Sequence, residues 1–219
     1  PMILSWMARG DDTLRELDED AREMGALIAL AGHPLELRVM ERAKGAVPAR
    51  EVASAVRRLE ARRWVTKVVH RGVTMVAPIH DWTRALLQQD IAPERARTMH
   101  LGLGEALAST SAPPEEVGEH YYLAGAHEAL VPYALRAAER AQESRAFINE
   151  ALWLERVLEA APAAQVDREQ IRLRAATALG RAGLGREAAA HYLALLGQVS
   201  PVRDAELRLL AAEQLFRCG

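Results

Sequence analysis

Trp64-Val65-Thr66-Lys67-Val68-Val69 and Val73-Thr74-Met75-Val76, joined through Arg71-Gly72, decide how this chain folds. Both runs are rich in β-branched residues, which pack well on a pleated surface, and the Arg-Gly step suits a tight turn. They predict a β-hairpin inside a sequence that otherwise reads as helix. Upstream, Leu14, Leu17, Ala21, Met24, Ile28 and Ala31 recur at spacings of three and four, predicting an amphipathic helix from Asp11 to Ala31. Gly32 and Pro34 stop it, one by accepting a left-handed cap and the other by being unable to continue a helix. A short helix is expected over Leu35–Lys44, closed by Gly45. Pro48 opens a third, with Val52, Val56 and Leu59 on one face.

Three helices followed by a hairpin is the order of a winged helix-turn-helix domain, placed at residues 1–80. From Asp81 onward the pattern is helical throughout. Helices are expected over Asp81–Gln89, Pro93–Ser109, Pro114–Leu123, His127–Ser144, Ala146–Ala160, Asp167–Ala182, Arg186–Gln198 and Arg203–Arg217. Connectors this short force neighbours into antiparallel hairpins. A weak repeat sets Phe147-Ile148-Asn149-Glu150-Ala151-Leu152-Trp153-Leu154, ending at Pro162, beside Arg186-Glu187-Ala188-Ala189-Ala190-His191-Tyr192-Leu193, ending at Pro201. The offset is about 38, near the roughly 34 of tetratricopeptide units. The expected fold is mainly α: a winged helix-turn-helix domain with a small β-hairpin (1–80), a helical connector (81–126), and a truncated tetratricopeptide-like α-solenoid of antiparallel helical hairpins (127–219).

Hydrophobic residues make up 50% of the 219, enough to bury a core, but aromatics only 5%, so Ala and Leu must do the packing, as helices allow. A net charge of −2 supplies no overall basic field for nucleic acid. One cysteine, Cys218, excludes an internal disulfide framework and suits a reducing, cytoplasmic setting. No apolar run approaches the roughly 20 residues that span a bilayer. Starting at Pro1 and stopping at Gly219 on a stretch that reads as helix, the chain is expected to be a fragment.

Catalytic motifs are not found. There is no phosphate-binding loop ending in Lys-Ser or Lys-Thr, and Gly180-Arg181-Ala182-Gly183-Leu184-Gly185 reads as a turn between helices. No His-Glu-x-x-His or cysteine pair points to zinc, so no metal site is expected. The seven histidines are dispersed, and solvated or helix-surface roles are expected for them. Glu119-His120 and His127-Glu128 have no nucleophile beside them.

Ile79-His80-Asp81 stands where the hairpin gives way to helix. Asp81 is placed to cap the next helix, its carboxylate accepting free backbone N–H groups, with His80 just before it on the rim. Arg84 completes a His-Asp-x-x-Arg pattern. Together with Leu27-Ile28-Ala29-Leu30-Ala31-Gly32-His33-Pro34-Leu35, Met99-His100-Leu101-Gly102-Leu103-Gly104-Glu105-Ala106-Leu107 and Glu119-His120-Tyr121-Tyr122-Leu123-Ala124-Gly125-Ala126, this forms an ordered series over nearly the whole chain. The series resembles the region after the AAA-type ATPase domain of signal-transduction ATPases with numerous domains (STAND), as in large bacterial multidomain regulators and protein kinases. Pro78-Ile79 departs from the aromatic that many relatives have before the histidine, and Trp82-Thr83 from their charged pair. The resemblance implies a non-catalytic regulatory and protein-interaction arm of such an ATPase. In it His80 would contact the phosphate of ADP held by a neighbouring ATPase domain in cis, so that ADP and ATP belong to the parent protein and no cofactor to this stretch.

Two basic sets complete the candidates. Arg50, Arg57, Arg58, Arg62, Arg63, Lys67 and Arg71, on the third helix and hairpin, suit either the missing ATPase domain or DNA. The DNA reading makes the chain a winged-helix transcriptional regulator with a helical sensor domain. Ala53, Ser54 and Ala55 offer little for reading bases, so a nucleic-acid partner is not the first expectation. Arg136, Arg140, Arg172 and Arg174 would line the inner face of the helical hairpins and favour an acidic protein partner.

Overall fold

The structure, a computed structural model, describes residues 14, 16–45, 47–70, 72–162 and 166–218. Among them are eleven helices and one small antiparallel sheet, so the chain is mainly helical, as the sequence predicts. Two compact units emerge: Pro1–Ala112 with Glu119–Gly125, and Pro113–Gly118 with Ala126–Gly219.

The first unit begins with α1 (Glu19–Leu30), β1 (Leu35–Glu36), α2 (Leu37–Ala43) and α3 (Ala49–Ala61). β2 (Val65–His70), β3 (Val73–Pro78), α4 (Asp81–Gln88) and α5 (Pro93–Ala108) follow, and the later half of α6 (Pro114–Ala124) belongs here too. α1 starts later than its apolar stripe suggests. Asp18 caps it by accepting the Ala21 N–H at 2.9 Å, while residues 11–13 of the expected helix lie outside the described residues. The hairpin forms as expected, pairing Val65 with Pro78 through His70 with Val73. β1 corrects the expected Leu35–Lys44 helix. Leu35 pairs with Val76 and Glu36 with Met75, giving the sheet order β1-β3-β2. The fully buried Leu35 side chain draws these two residues onto the hairpin, and helix resumes at Leu37.

Met24, Leu27 and Ile28 of α1, Met40 of α2, and Val52, Val56 and Leu59 of α3 form a core under the sheet, joined by Trp64, Val65 and Val76. α4 packs on α1, and α5 on α2. Gly102 makes the second packing possible: a Cβ there would run into the Ala43 carbonyl oxygen, a backbone atom unable to move aside.

The second unit holds α7 (His127–Glu143), α8 (Phe147–Ala160), α9 (Arg168–Arg181), α10 (Gly185–Leu193) and α11 (Pro201–Cys218), and α8 to α11 are each packed on the helix before. Ala151 of α8 and Ala188 of α10, one from each copy of the weak repeat, are both buried against Ala178 and Leu179 of α9. Small residues here let three helices meet closely. α10 ends five residues before the expected Gln198. The Leu195 and Leu196 N–H groups tighten onto carbonyls three residues back, leading to Gly197 at φ 76°. The Gly197 N–H then donates to the Asp204 carboxylate at 3.0 Å.

Candidate functional site

His80 lies between the end of β3 and the start of α4, in extended backbone (φ −142°, ψ 161°), and is the N-cap residue of α4. Its N–H donates to the Thr83 hydroxyl at 3.0 Å, and that hydroxyl donates to the His80 carbonyl oxygen at 2.5 Å. The expected capping role of Asp81 is therefore corrected. Asp81 is the first helical residue and is exposed, so its carboxylate faces the positive end of the helix dipole. Thr83, 1% exposed, closes the helix start instead. Thr83→Val is expected to destabilise the chain by about 1 kcal/mol, and Asp81→Ala by less than half as much. Parallel denaturant titrations of the two variants check the order; equal losses would return the cap to Asp81.

The His80 side chain is exposed at the surface and stacks on Trp82, centroids 6.2 Å apart and planes 29° apart. Trp82, 37% exposed, leans in turn on the buried Trp64 at 6.4 Å. The row of rings grades from core to solvent and ends on the imidazole. Behind it, Arg84 and Gln88 both donate to the Ala29 carbonyl oxygen, at 3.0 and 2.8 Å. Ala29 lies in the last turn of α1, where carbonyls lack partners within their own helix. The arginine of the His-Asp-x-x-Arg pattern is thus a tie between α4 and α1, and it holds the His80 rim in place.

The basic set is less concentrated than its sequence suggests. Arg58 pairs with Asp18 at 2.8 Å and Lys67 with Glu60 at 2.5 Å, while Arg71 lies outside the described residues. The Ala21 amide, and then the charge of Arg58, hold the Asp18 carboxyl below the usual carboxylate range. Arg50, Arg57, Arg62 and Arg63 are exposed and have no ion pair among the described residues. Arg50 and Arg57 are seven apart and share a face of α3. Arg63 sits at φ 58°, in the turn leading to β2.

In the second unit Arg136 is exposed beside the Tyr133 ring at 6.0 Å, and Arg140 pairs with Glu115 at 3.2 Å. Arg174 faces Glu150 at 3.4 Å, a carboxylate whose residue is 2% exposed. Arg172 is two positions away, roughly 200° around α9, so the two do not point into one groove. Trp153 and Tyr192 are buried fillers, 6% and 5% exposed. Trp153 lies against Gly118, and Tyr192 against Ala176, Ala189, Leu207 and Ala211.

Sequence reasoning missed one constellation. His100 on α5 and His120 on α6 are buried, 7% and 3% exposed, where surface roles were expected. Their Nδ1 atoms are 3.0 Å apart and their rings stack at 5.2 Å, with the His33 ring 6.3 Å from that of His120. One Nδ1 must carry the hydrogen and the other accept it, so the accepting ring is neutral in this contact. Burial, then the nearby His100 and His33, push His120 down to about 3. Burial lowers His100 as well, against the opposing pull of Glu119. The two positions are 20 residues apart on different helices, and neither local spacing nor composition marks them as a pair.

Two clefts, of about 450 and 720 Å³, flank Glu23, whose carboxylate is held between Lys44 and Arg95. Among the described residues no Ser, Cys or His lines either one. Among the described residues no group of three or more His, Cys, Asp or Glu is arranged to hold a metal ion. No helix among them is long and apolar enough to cross a membrane. Compared with protein-family models, with curated proteins and with solved structures, the chain gives no match.

Proposed function

We propose that this chain is the regulatory and protein-interaction arm of a multidomain STAND-type signalling ATPase, with His80 as its contact to bound nucleotide. The observation that carries this reading is the placement of His80. Its imidazole is exposed, stacked on Trp82, and fixed at the start of a helix that Arg84 and Gln88 tie to α1. A side chain held that way can hydrogen-bond a group presented by another domain without first losing much freedom of its own. The order helix, strand, helix, helix, hairpin, with β1 beside β3, supports a winged helix. The successive packing of α7 to α11, with alanines between the helices, supports a tetratricopeptide-like array on which a protein partner could dock. Arg136 and Arg172 have no ion pair among the described residues, and they favour an acidic partner segment.

The residues fit one end of a nucleotide site. His80 can donate to a phosphate oxygen, whereas a glycine-rich phosphate cradle must come from the neighbouring domain. A hydrogen bond of this kind contributes on the order of 1.5–3 kcal/mol. In the parent ATPase, His80→Ala is therefore expected to weaken ADP binding by roughly tenfold to a hundredfold. It should shift the protein toward its active state while leaving the melting temperature of the chain alone unchanged. Fluorescent-ADP titration of the parent and its variant measures this, and equal ADP affinity would rule the contact out.

A further inference from the structure

α11 presents two opposite faces. Leu207 and Ala211 are buried, in the cluster around Tyr192. At about 100° per residue, Val202, Ala205, Leu209, Ala212 and Phe216 fall within about 80° of one another on the far side. Val202 is 73% exposed, Leu209 62% and Phe216 90%. Their alternating spacing of three and four is that of a coiled-coil seam, which hides from water only against another helix.

The charges beside the seam indicate which helix. Arg208 borders it on one side and Glu213 on the other, and neither has an ion-pair partner among the described residues. We propose that two copies of this chain associate through α11, side by side and parallel, with the apolar seams in contact. Parallel pairing sets Arg208 of one copy against Glu213 of the other, and symmetry repeats the pair. Antiparallel pairing would instead turn Glu213 toward the flank bearing Glu206, itself already paired with Arg203 at 2.7 Å, and leave Arg208 and Glu213 without their opposite charge. The seam matches itself in one orientation and opposes itself in the other. Two of its five positions are alanine, so the contact is small and the association weak, with a dissociation constant on the order of 100 µM.

Analytical ultracentrifugation of the 219-residue chain from about 5 to 500 µM tests this, with dimer expected to appear across that range. Leu209→Glu with Phe216→Glu should remain monomeric throughout while keeping the wild-type circular dichroism. Arg208→Glu should weaken association at least about tenfold, and adding Glu213→Arg should restore it by exchanging the pair. A spin label on Val202→Cys, with Cys218→Ser, reports orientation: position 202 lies in the seam, so parallel helices bring the two labels close, whereas antiparallel ones separate them by nearly a helix length. A wild-type chain that stays monomeric at the highest concentration, a dimer that survives the double glutamate change, failure of the charge exchange to rescue, or distant labels would each overturn the proposal.

Discussion

Lowering the pH from 7 to 4 is expected to destabilise the first unit by about 3 kcal/mol through His120 alone. In the folded chain His120 is held down to about 3 by burial and by the neighbouring His100 and His33. In the unfolded chain it titrates near its ordinary value of 6.5. The unfolded state therefore takes up a proton as the pH falls below 6.5, while the folded state resists until near 3. Stability contributed by the neutral ring is complete above 6.5 and is lost progressively below it. Proton uptake would also turn both Nδ1 atoms into donors and make their 3.0 Å contact repulsive. His100, lowered in the same direction, adds to the loss. The window from about pH 6.5 to 5 separates this from carboxylate titration, which comes lower. Denaturant unfolding across that window, with hydrogen exchange read on α5 and α6, should show a loss of about 2 kcal/mol in the wild type. The slope should be clearly flatter in His120→Gln and in His100→Gln. Slopes that match the wild type in both variants would mean that the pair does not govern acid sensitivity.

That pair also shows where the sequence stops being informative. The eight helices after the hairpin were legible because each carries its own signals: a proline or acidic start, an apolar period, a glycine or short connector at the end. The hairpin was legible from its β-branched runs. β1 was not, because two residues are too short for an alternation, and Leu35 is extended only by virtue of Val76 across from it. The cap of α4 was misplaced by one residue because aspartate is the commoner capping side chain. In the fold, the threonine three residues beyond His80 closes the backbone instead. Four arginines of the basic set could be read as exposed, yet Asp18, forty positions from Arg58, could not be foreseen as its partner. The candidate site divides along the same line. That His80 ends the rim follows from local order, whereas its stacking on Trp82 and the bond from Arg84 to Ala29 are products of tertiary packing.

Arg174→Met is expected to destabilise the second unit by about 3 kcal/mol, a large effect for an arginine that sequence alone places on a binding surface. Glu150 is 2% exposed, and the Arg174 guanidinium at 3.4 Å is the ion-pair partner recorded for it among the described residues. Removing the cation while keeping the carboxylate leaves a charge in a site that water barely reaches. The penalty is then set by desolvation and not by the modest strength of the pair itself. Removing both should cost much less, so Glu150→Gln with Arg174→Met should recover most of the loss. Arg172→Met, on the other side of α9, should change stability by no more than about 0.5 kcal/mol. Thermal melts of the three variants decide the matter: a single Arg174→Met as stable as the wild type would show that Glu150 tolerates isolation, and would free Arg174 for a partner. The expected outcome instead confines any charge-reversal search for an acidic partner to Arg136 and Arg172, because a loss of binding on changing Arg174 would report unfolding.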